Sequence, residues 1–278
     1  MNFSFEFFPP KSDKAELNLW SAINALAPLE PEFVSVTYGA GGTTRTRTHD
    51  CVRRIVQETN LNPAAHLTCV SATKSEVDHV IDDYEHAGVR HIVALRGDMP
   101  DFAPYSVYPG GYLSTVDLVK AISDRGCFDV SVSAYPEKHP ESASLQHDID
   151  LLKAKQDAGA TRAITQFAFD TFAYVRFRDA LMEDGLSIEI CPGIMPTTNF
   201  SGAFSMAEKC GTSVPEALRQ RFLGLEDDPA AREDIATSFA LEQCEILKAE
   251  GFGHVHFYTL NQAALTMNVC RALEKGAV

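Results

Sequence analysis

Nowhere in the 278 residues do more than two basic side chains stand side by side, and acidic residues outnumber basic ones by 38 to 24, a formal net charge of -14. A phosphate-tracking surface is thereby excluded, and nucleic acid with it as a partner. No apolar run approaches the ~18 residues that span a bilayer. The N-terminus enters a strand pattern directly, without a basic segment leading into an apolar one. The expectation is a cytoplasmic protein with no membrane partner. Seven cysteines (Cys51, Cys69, Cys127, Cys191, Cys210, Cys244, Cys270) form no C-x-x-C pair and are odd in number, which points to buried free thiols in a reducing compartment. Cys69 and Cys191 lie in strand-like runs but lack the signature of an activated nucleophile. Linkers and low-complexity tracts are also missing, so residues 1–278 read as one domain.

What is present is a repeat. Strand-like runs recur at 3–8, 33–39, 64–70, 90–98, 128–136, 161–169, 187–196 and 254–261, with helix-period stretches such as "EVDHVIDDYEHAG" between them. Strand and helix units of this length imply parallel strands with right-handed crossovers, and eight of them close into a (β/α)8 barrel. The competing open doubly wound sheet would ordinarily open its first helix with G-x-G-x-x-G, which is lacking. The long interval 197–253 predicts three helices, capped by Thr198 or Asn199, started with Pro215 in a first turn, and ended at Gly251; the third is read as the eighth barrel helix.

Barrel chemistry sits at the C-terminal ends of the strands. Polar residues collect there: Glu6, Thr37, Tyr38, His66, Thr68, Arg96, Gly97, Asp98, Tyr135, His139 and Gln166. In "NFSFEFFPPK", alternation puts Phe3, Phe5 and Phe7 on one face and Ser4, Glu6 and Phe8 on the other. A carboxyl in such a place has its charged form disfavoured, which suits it to proton transfer near neutrality; the alternative is a solvated or arginine-paired glutamate. His254 and His256 form an H-x-H, yet without convincing partner ligands, so no metal is expected and the pair reads as a rim and a core residue. The loop "YGAGGTTRTRTHD" could bring backbone N–H groups to an anion, or be a plain turn. On a helix beginning near Gln146, Asp148, Leu151 and Lys155 share a face. They could grip a sugar hydroxyl and a phosphate, or form a solvated ion pair.

Taken in order, "FEFFPPK", "FVSVTYGAGG", "HLTC", "RHIVALRGD", "SVSAYPEKHPE", "DAGATRAITQFAFD", "PGIMP" and "HFYTLN" resemble the methylenetetrahydrofolate reductases of the bacterial type over essentially the whole chain. The resemblance implies a barrel that binds FAD, takes hydride from NADH or NADPH, and passes it in ping-pong fashion to 5,10-methylenetetrahydrofolate. It implies Glu6 as the general acid that opens the folate's five-membered ring, Asp98 beside flavin and pterin, and Gln166 serving nicotinamide and folate in turn. Thr37, Tyr38, Ala40, His66, Arg96, Gly97, Asp98, Tyr135, His139, Asp148 and Lys155 would hold the flavin.

Departures from the pattern are Leu151 and Ala154 where relatives often carry asparagine and arginine, Gly202 in place of glutamine, and a longer segment after Asp98. Gln262 stands where arginine commonly meets the folate glutamate, and is kept as a substrate contact. A homo-oligomer is expected, with no regulatory domain following the barrel. A flavin- or folate-binding barrel without turnover and an unrelated barrel hydrolase or lyase are the alternatives.

Overall fold

The computed structural model describes residues 1–38, 45–99 and 106–275. Strands β1 (Asn2–Phe7), β2 (Phe33–Val36), β3 (Pro63–Thr68), β4 (His91–Leu95), β5 (Asp129–Ala134), β6 (Arg162–Phe167), β7 (Glu189–Ile194) and β8 (His254–Tyr258) pair in parallel, in sequence order, and close β8 onto β1. Around them lie helices α1 (Asp13–Leu26), α2 (Arg45–Glu58), α3 (Lys74–His86), α4 (Thr115–Ser123), α5 (Leu145–Asp157) and α6 (Thr171–Glu183). Helices α7 (Phe200–Cys210), α8 (Glu216–Phe222), α9 (Pro229–Ala249) and α10 (Ala264–Lys275) complete the shell. The eight-unit barrel expected from the repeat is the fold. The strands stop one to three residues short of most predicted ends, because the apolar runs continue into the loops that build the upper rim.

Two positions differ from the sequence expectation. The long helix α9 precedes β8 and so belongs to the seventh unit; the eighth barrel helix is α10, after β8. Pro215 sits at the cap position before α8 rather than inside its first turn. Asn199 caps α7 through its side chain, which accepts from the Gly202 N–H.

Alternation along β1 sorts its residues as the pleat requires. Phe3, Phe5 and Phe7 pack outward against the helix layer, sharing one core with Leu19, Ile23 and Leu26 of α1; burying each contributes about 2–3 kcal/mol. Ser4 and Glu6 face the barrel axis. The axis carries only a small apolar cluster of Phe33, Ala64, Val93, Ile164 and Cys191. Elsewhere it is polar, with Ser4, His66, His91, Ser131, Arg162, His254 and His256 all buried. Barrel interiors are ordinarily filled by Val, Ile and Leu. Some of these buried polar groups pair with one another: His91 Nε2 and Ser131 Oγ are 2.7 Å apart. At the N-terminal rim the Arg162 guanidinium meets Glu189 at 2.9 Å, Asp129 at 3.1 Å and Glu32.

Candidate active site

Glu6 ends the inward stripe of β1, aligned with Ser35 on β2 and Tyr258 on β8. Its side chain is 12% exposed, and its Oε2 lies 3.5 Å from His66 Nε2 and 3.8 Å from His256 Nε2. Burial pushes its carboxyl above the usual carboxylate range, with His66 opposing the shift. That opposition needs a charged imidazole, and burial holds both rings neutral, His66 at about 4 and His256 at about 3. Glu6 is therefore a desolvated carboxyl without a cationic partner at neutral pH, the condition that favours a retained proton.

Above it lies a cavity of about 450 Å³ lined by Glu6, Tyr38, His66, Arg96, Gly97, Asp98, Tyr135, His139, Asp148 and Lys155. Ten of the candidate residues thus converge at the C-terminal mouth. Gly97 has φ +84°, and a Cβ there would stand 2.5 Å from Val70 and 2.8 Å from Thr68; no other residue fits that turn. Its neighbour Asp98 projects into solvent at the cavity edge, while Arg96 pairs with Glu141 at 2.7 Å. Across the mouth, Tyr135 and His139 meet edge to face at 4.5 Å. Burial raises the Tyr135 phenol to about 12 and lowers the His139 imidazole.

Ser144 caps α5, which turns Asp148, Leu151 and Lys155 toward the cavity. The two charges make no ion pair with each other. Asp148 accepts from the His139 N–H at 2.8 Å and from the Ser142 hydroxyl, pinning the loop after β5. Lys155 is buried, donates to the Ser133 carbonyl at 3.2 Å, and burial lowers its ammonium to about 8.

Other expected residues fall elsewhere. Thr37 lies beside the mouth, its N–H bonded to the Phe7 carbonyl and its own carbonyl to Thr48. Gln166 is half-buried at the end of β6, its Oε1 accepting from the Phe167 N–H at 3.0 Å. Gln262 is exposed in the loop after β8. Ala40 and most of the glycine-rich loop lie outside the described residues. His256 is a hydrogen-bonded core residue, and His254 starts β8 at the rim opposite the cavity, beside Glu32 and Glu189, where it is fully buried. His254 does come within 4.8 Å of Glu189 and Cys191, a corner where Arg162 already holds Glu189.

Tyr258 escaped the sequence reading. It lines the cavity beside Glu6 and donates to the Thr165 carbonyl at 2.7 Å. Gly193 makes room for it: a Cβ there would lie 2.5 Å from the Tyr258 ring and 2.3 Å from the Thr165 carbonyl. The signal was available, since Tyr258 is two residues past His256 on the inward stripe of β8.

Comparison with known proteins fits this geometry. The family model "Methylenetetrahydrofolate reductase" matches residues 1–274. The 5,10-methylenetetrahydrofolate reductase of Escherichia coli (strain K12) is 46% identical over 273 residues, covering 98% of this chain and 90% of that one. The Arabidopsis thaliana methylenetetrahydrofolate reductase (NADH) 1 is 34% identical over 271 residues, covering 93% of this chain and 46% of the plant protein. Among solved structures, an uncharacterized Clostridium thermocellum protein that binds two copies of 5-methyl-5,6,7,8-tetrahydrofolic acid shares the fold, with a TM-score of 0.65 at 14% identity and coverage of 99% and 94%.

Proposed function

The chain belongs to the methylenetetrahydrofolate reductase family and is an oxidoreductase, and from that premise we propose that it reduces 5,10-methylenetetrahydrofolate to 5-methyltetrahydrofolate with FAD as cofactor and NADH or NADPH as donor. The observation that carries the reading is Glu6, a buried carboxyl with a raised pKa and no cationic partner, at the floor of a cavity built from the strand ends.

The donor set suits a flavin dinucleotide. Lys155 is a buried ammonium with one 3.2 Å bond to protein and donors to spare, and a cation so placed favours a phosphate. Arg96 adds a second positive charge, a guanidinium, at the same mouth. We assign Thr37, Tyr38, Ala40, His66, Arg96, Gly97, Asp98, Tyr135, His139, Asp148 and Lys155 to holding the cofactor. Asp148 acts partly by fixing the loop that carries His139. Bound flavin would supply a two-electron hydride relay between the nicotinamide and the folate.

The chain's own residues supply the rest. Protonated Glu6 donates to the folate amine as the five-membered ring opens, and the enclosed floor keeps water from the resulting iminium. Asp98 orients the pterin. Gln166 releases the Phe167 N–H and turns to nicotinamide or folate, whichever occupies the shared site, which makes the kinetics ping-pong. Gln262 meets the folate tail as a neutral amide.

Replacing the acid separates the two half-reactions. In Glu6→Gln, anaerobic stopped-flow should show flavin reduction by NADH within about threefold of wild type, while flavin reoxidation by methylenetetrahydrofolate falls by about 10²–10⁴. Unimpaired reoxidation in this variant would remove Glu6 from the acid role.

A further inference from the structure

A file of polar side chains runs along the barrel axis from Glu6 to the opposite rim. His256 Nε2 faces Glu6 Oε2 at 3.8 Å, and its Nδ1 lies 2.7 Å from Ser4 Oγ. Ser4 Oγ is in turn 2.8 Å from His254 Nε2, and His254 Nδ1 lies 3.2 Å from Glu32 Oε2. Ser4, His256 and His254 are at most 1% exposed, whereas the Glu32 side chain is 34% exposed. The parallel register holds the file in line, Ser4 opposite His256 and Asn2 opposite His254.

This arrangement differs from inert polar packing in two respects. A serine hydroxyl has one proton, so Ser4 donates to one imidazole and accepts from the other. The file thus has two polarised states that differ by moving one proton across each link. The outer ring nitrogens, His256 Nε2 and His254 Nδ1, are buried and lack a well-formed hydrogen bond among the described residues; each is aimed at a carboxylate. Leaving such groups without a full hydrogen bond is destabilising, a cost that simple packing would avoid with aliphatic side chains.

We propose that Glu32, His254, Ser4 and His256 form a proton path that reloads Glu6 from solvent at the rim opposite the active site. The proposal rests on the acid role of Glu6 given above. Each folate reduced consumes one hydride and one proton, and bound folate covers the front of Glu6. A proton from water reaches His254 Nδ1 by way of the Glu32 carboxylate. The His254 Nε2 proton passes to Ser4 Oγ as the Ser4 proton passes to His256 Nδ1, and the His256 Nε2 proton passes to Glu6. Every intermediate group gives one proton and takes one; solvent loses one and the Glu6 carboxylate gains it. A carboxyl rotation of about 1 Å closes the last gap to hydrogen-bonding distance. The relay leaves both imidazoles as Nδ1–H tautomers; once product has left, water in the open cavity gives a proton to His256 Nε2 and the same links run backward to the rim, which restores the starting tautomers. Arg162 and Glu189 flank His254, and Arg162 also pairs with Glu32. Both imidazoles are held neutral by burial, so the transfers are concerted rather than relayed by a resident imidazolium.

Infrared spectroscopy tests the path without turnover. In the flavin-loaded, dithionite-reduced enzyme with 5-methyltetrahydrofolate bound at pH 6, the protonated-carboxyl band that vanishes in Glu6→Gln reports Glu6. Its hydrogen–deuterium exchange on dilution into heavy water should slow at least tenfold in Ser4→Ala and in Glu32→Gln, the second variant being a rim substitution that preserves volume if the first fails to fold. Exchange as fast as wild type in Glu32→Gln would overturn the path and leave the acid role standing. Absence of any band sensitive to Glu6→Gln would overturn the acid role, and the path with it.

Discussion

Glu6 owes its chemistry to its neighbours' neutrality. A carboxylate beside two charged imidazoles would be a stabilised anion; beside two rings that burial keeps uncharged, it is a reluctant one. The same feature costs stability in a predictable pH window. Because the folded pKa of Glu6 is raised above its unfolded value of 4.5, its contribution is most favourable below that value and is lost as pH rises through the folded pKa. Glu6→Gln should therefore melt higher than wild type at pH 8, with the difference closing below pH 4.5; equal melting temperatures at both pH values would contradict the raised pKa. The inward direction of Glu6 was legible from alternation in "NFSFEF" alone. Its contacts with His66 and His256 were not, because they depend on closing the barrel so that inward residues of β3 and β8 meet those of β1 across long sequence separations, which a local pattern does not encode.

At the scale of the element, the upper rim is shaped by strands that end early and by close backbone approaches. Gly193 on β7 is such a place, with the Tyr258 ring and the Thr165 carbonyl both inside the radius of an added methyl group. Neither neighbour can yield easily, since Tyr258 is bonded to that same carbonyl. Gly193→Ala should destabilise by about 1–3 kcal/mol through overpacking and displace Tyr258 from the cavity wall, raising the KM for folate. Wild-type stability measured by urea unfolding would show that the strand ends have slack. On α5 the shared face of Asp148, Leu151 and Lys155 was readable from spacing, but the use of Asp148 as a loop clamp was not. That role depends on where the chain returns after β5. The apparent ion pair of the sequence dissolves into two separate tasks.

For the whole molecule, the repeat of strand and helix fixed the architecture, since the eight runs needed only the two periodicities and their spacing. What periodicity could not show is that the barrel is filled by histidines. His66, His91 and His254 are held near 4 and His256 near 3, against an ordinary value of 6.5, all by burial. Their folded pKa values are depressed, so the stability they confer is present above pH 6.5 and drains away as pH falls toward 4. Each adds a slope of up to ~1.4 kcal/mol per pH unit. Thermal unfolding should accordingly drop steeply between pH 6.5 and 4, and a flat profile across that range would show that these rings are not buried neutral. Arg162 closes the lower rim among three carboxylates that are a third to nearly half exposed. Arg162→Leu should cost about 2–3 kcal/mol, less than a fully buried pair because water screens the orphaned charges. On the proposed function, this architecture serves one transfer of a hydride and a proton. The most direct test is the visible spectrum of the purified protein, recorded anaerobically before NADH, after NADH, and after methylenetetrahydrofolate is added. Flavin bands that bleach with the dinucleotide and return with the folate are the predicted result; a protein that stays colourless after incubation with FAD, or one whose bleached flavin fails to recover with the folate, would contradict the account.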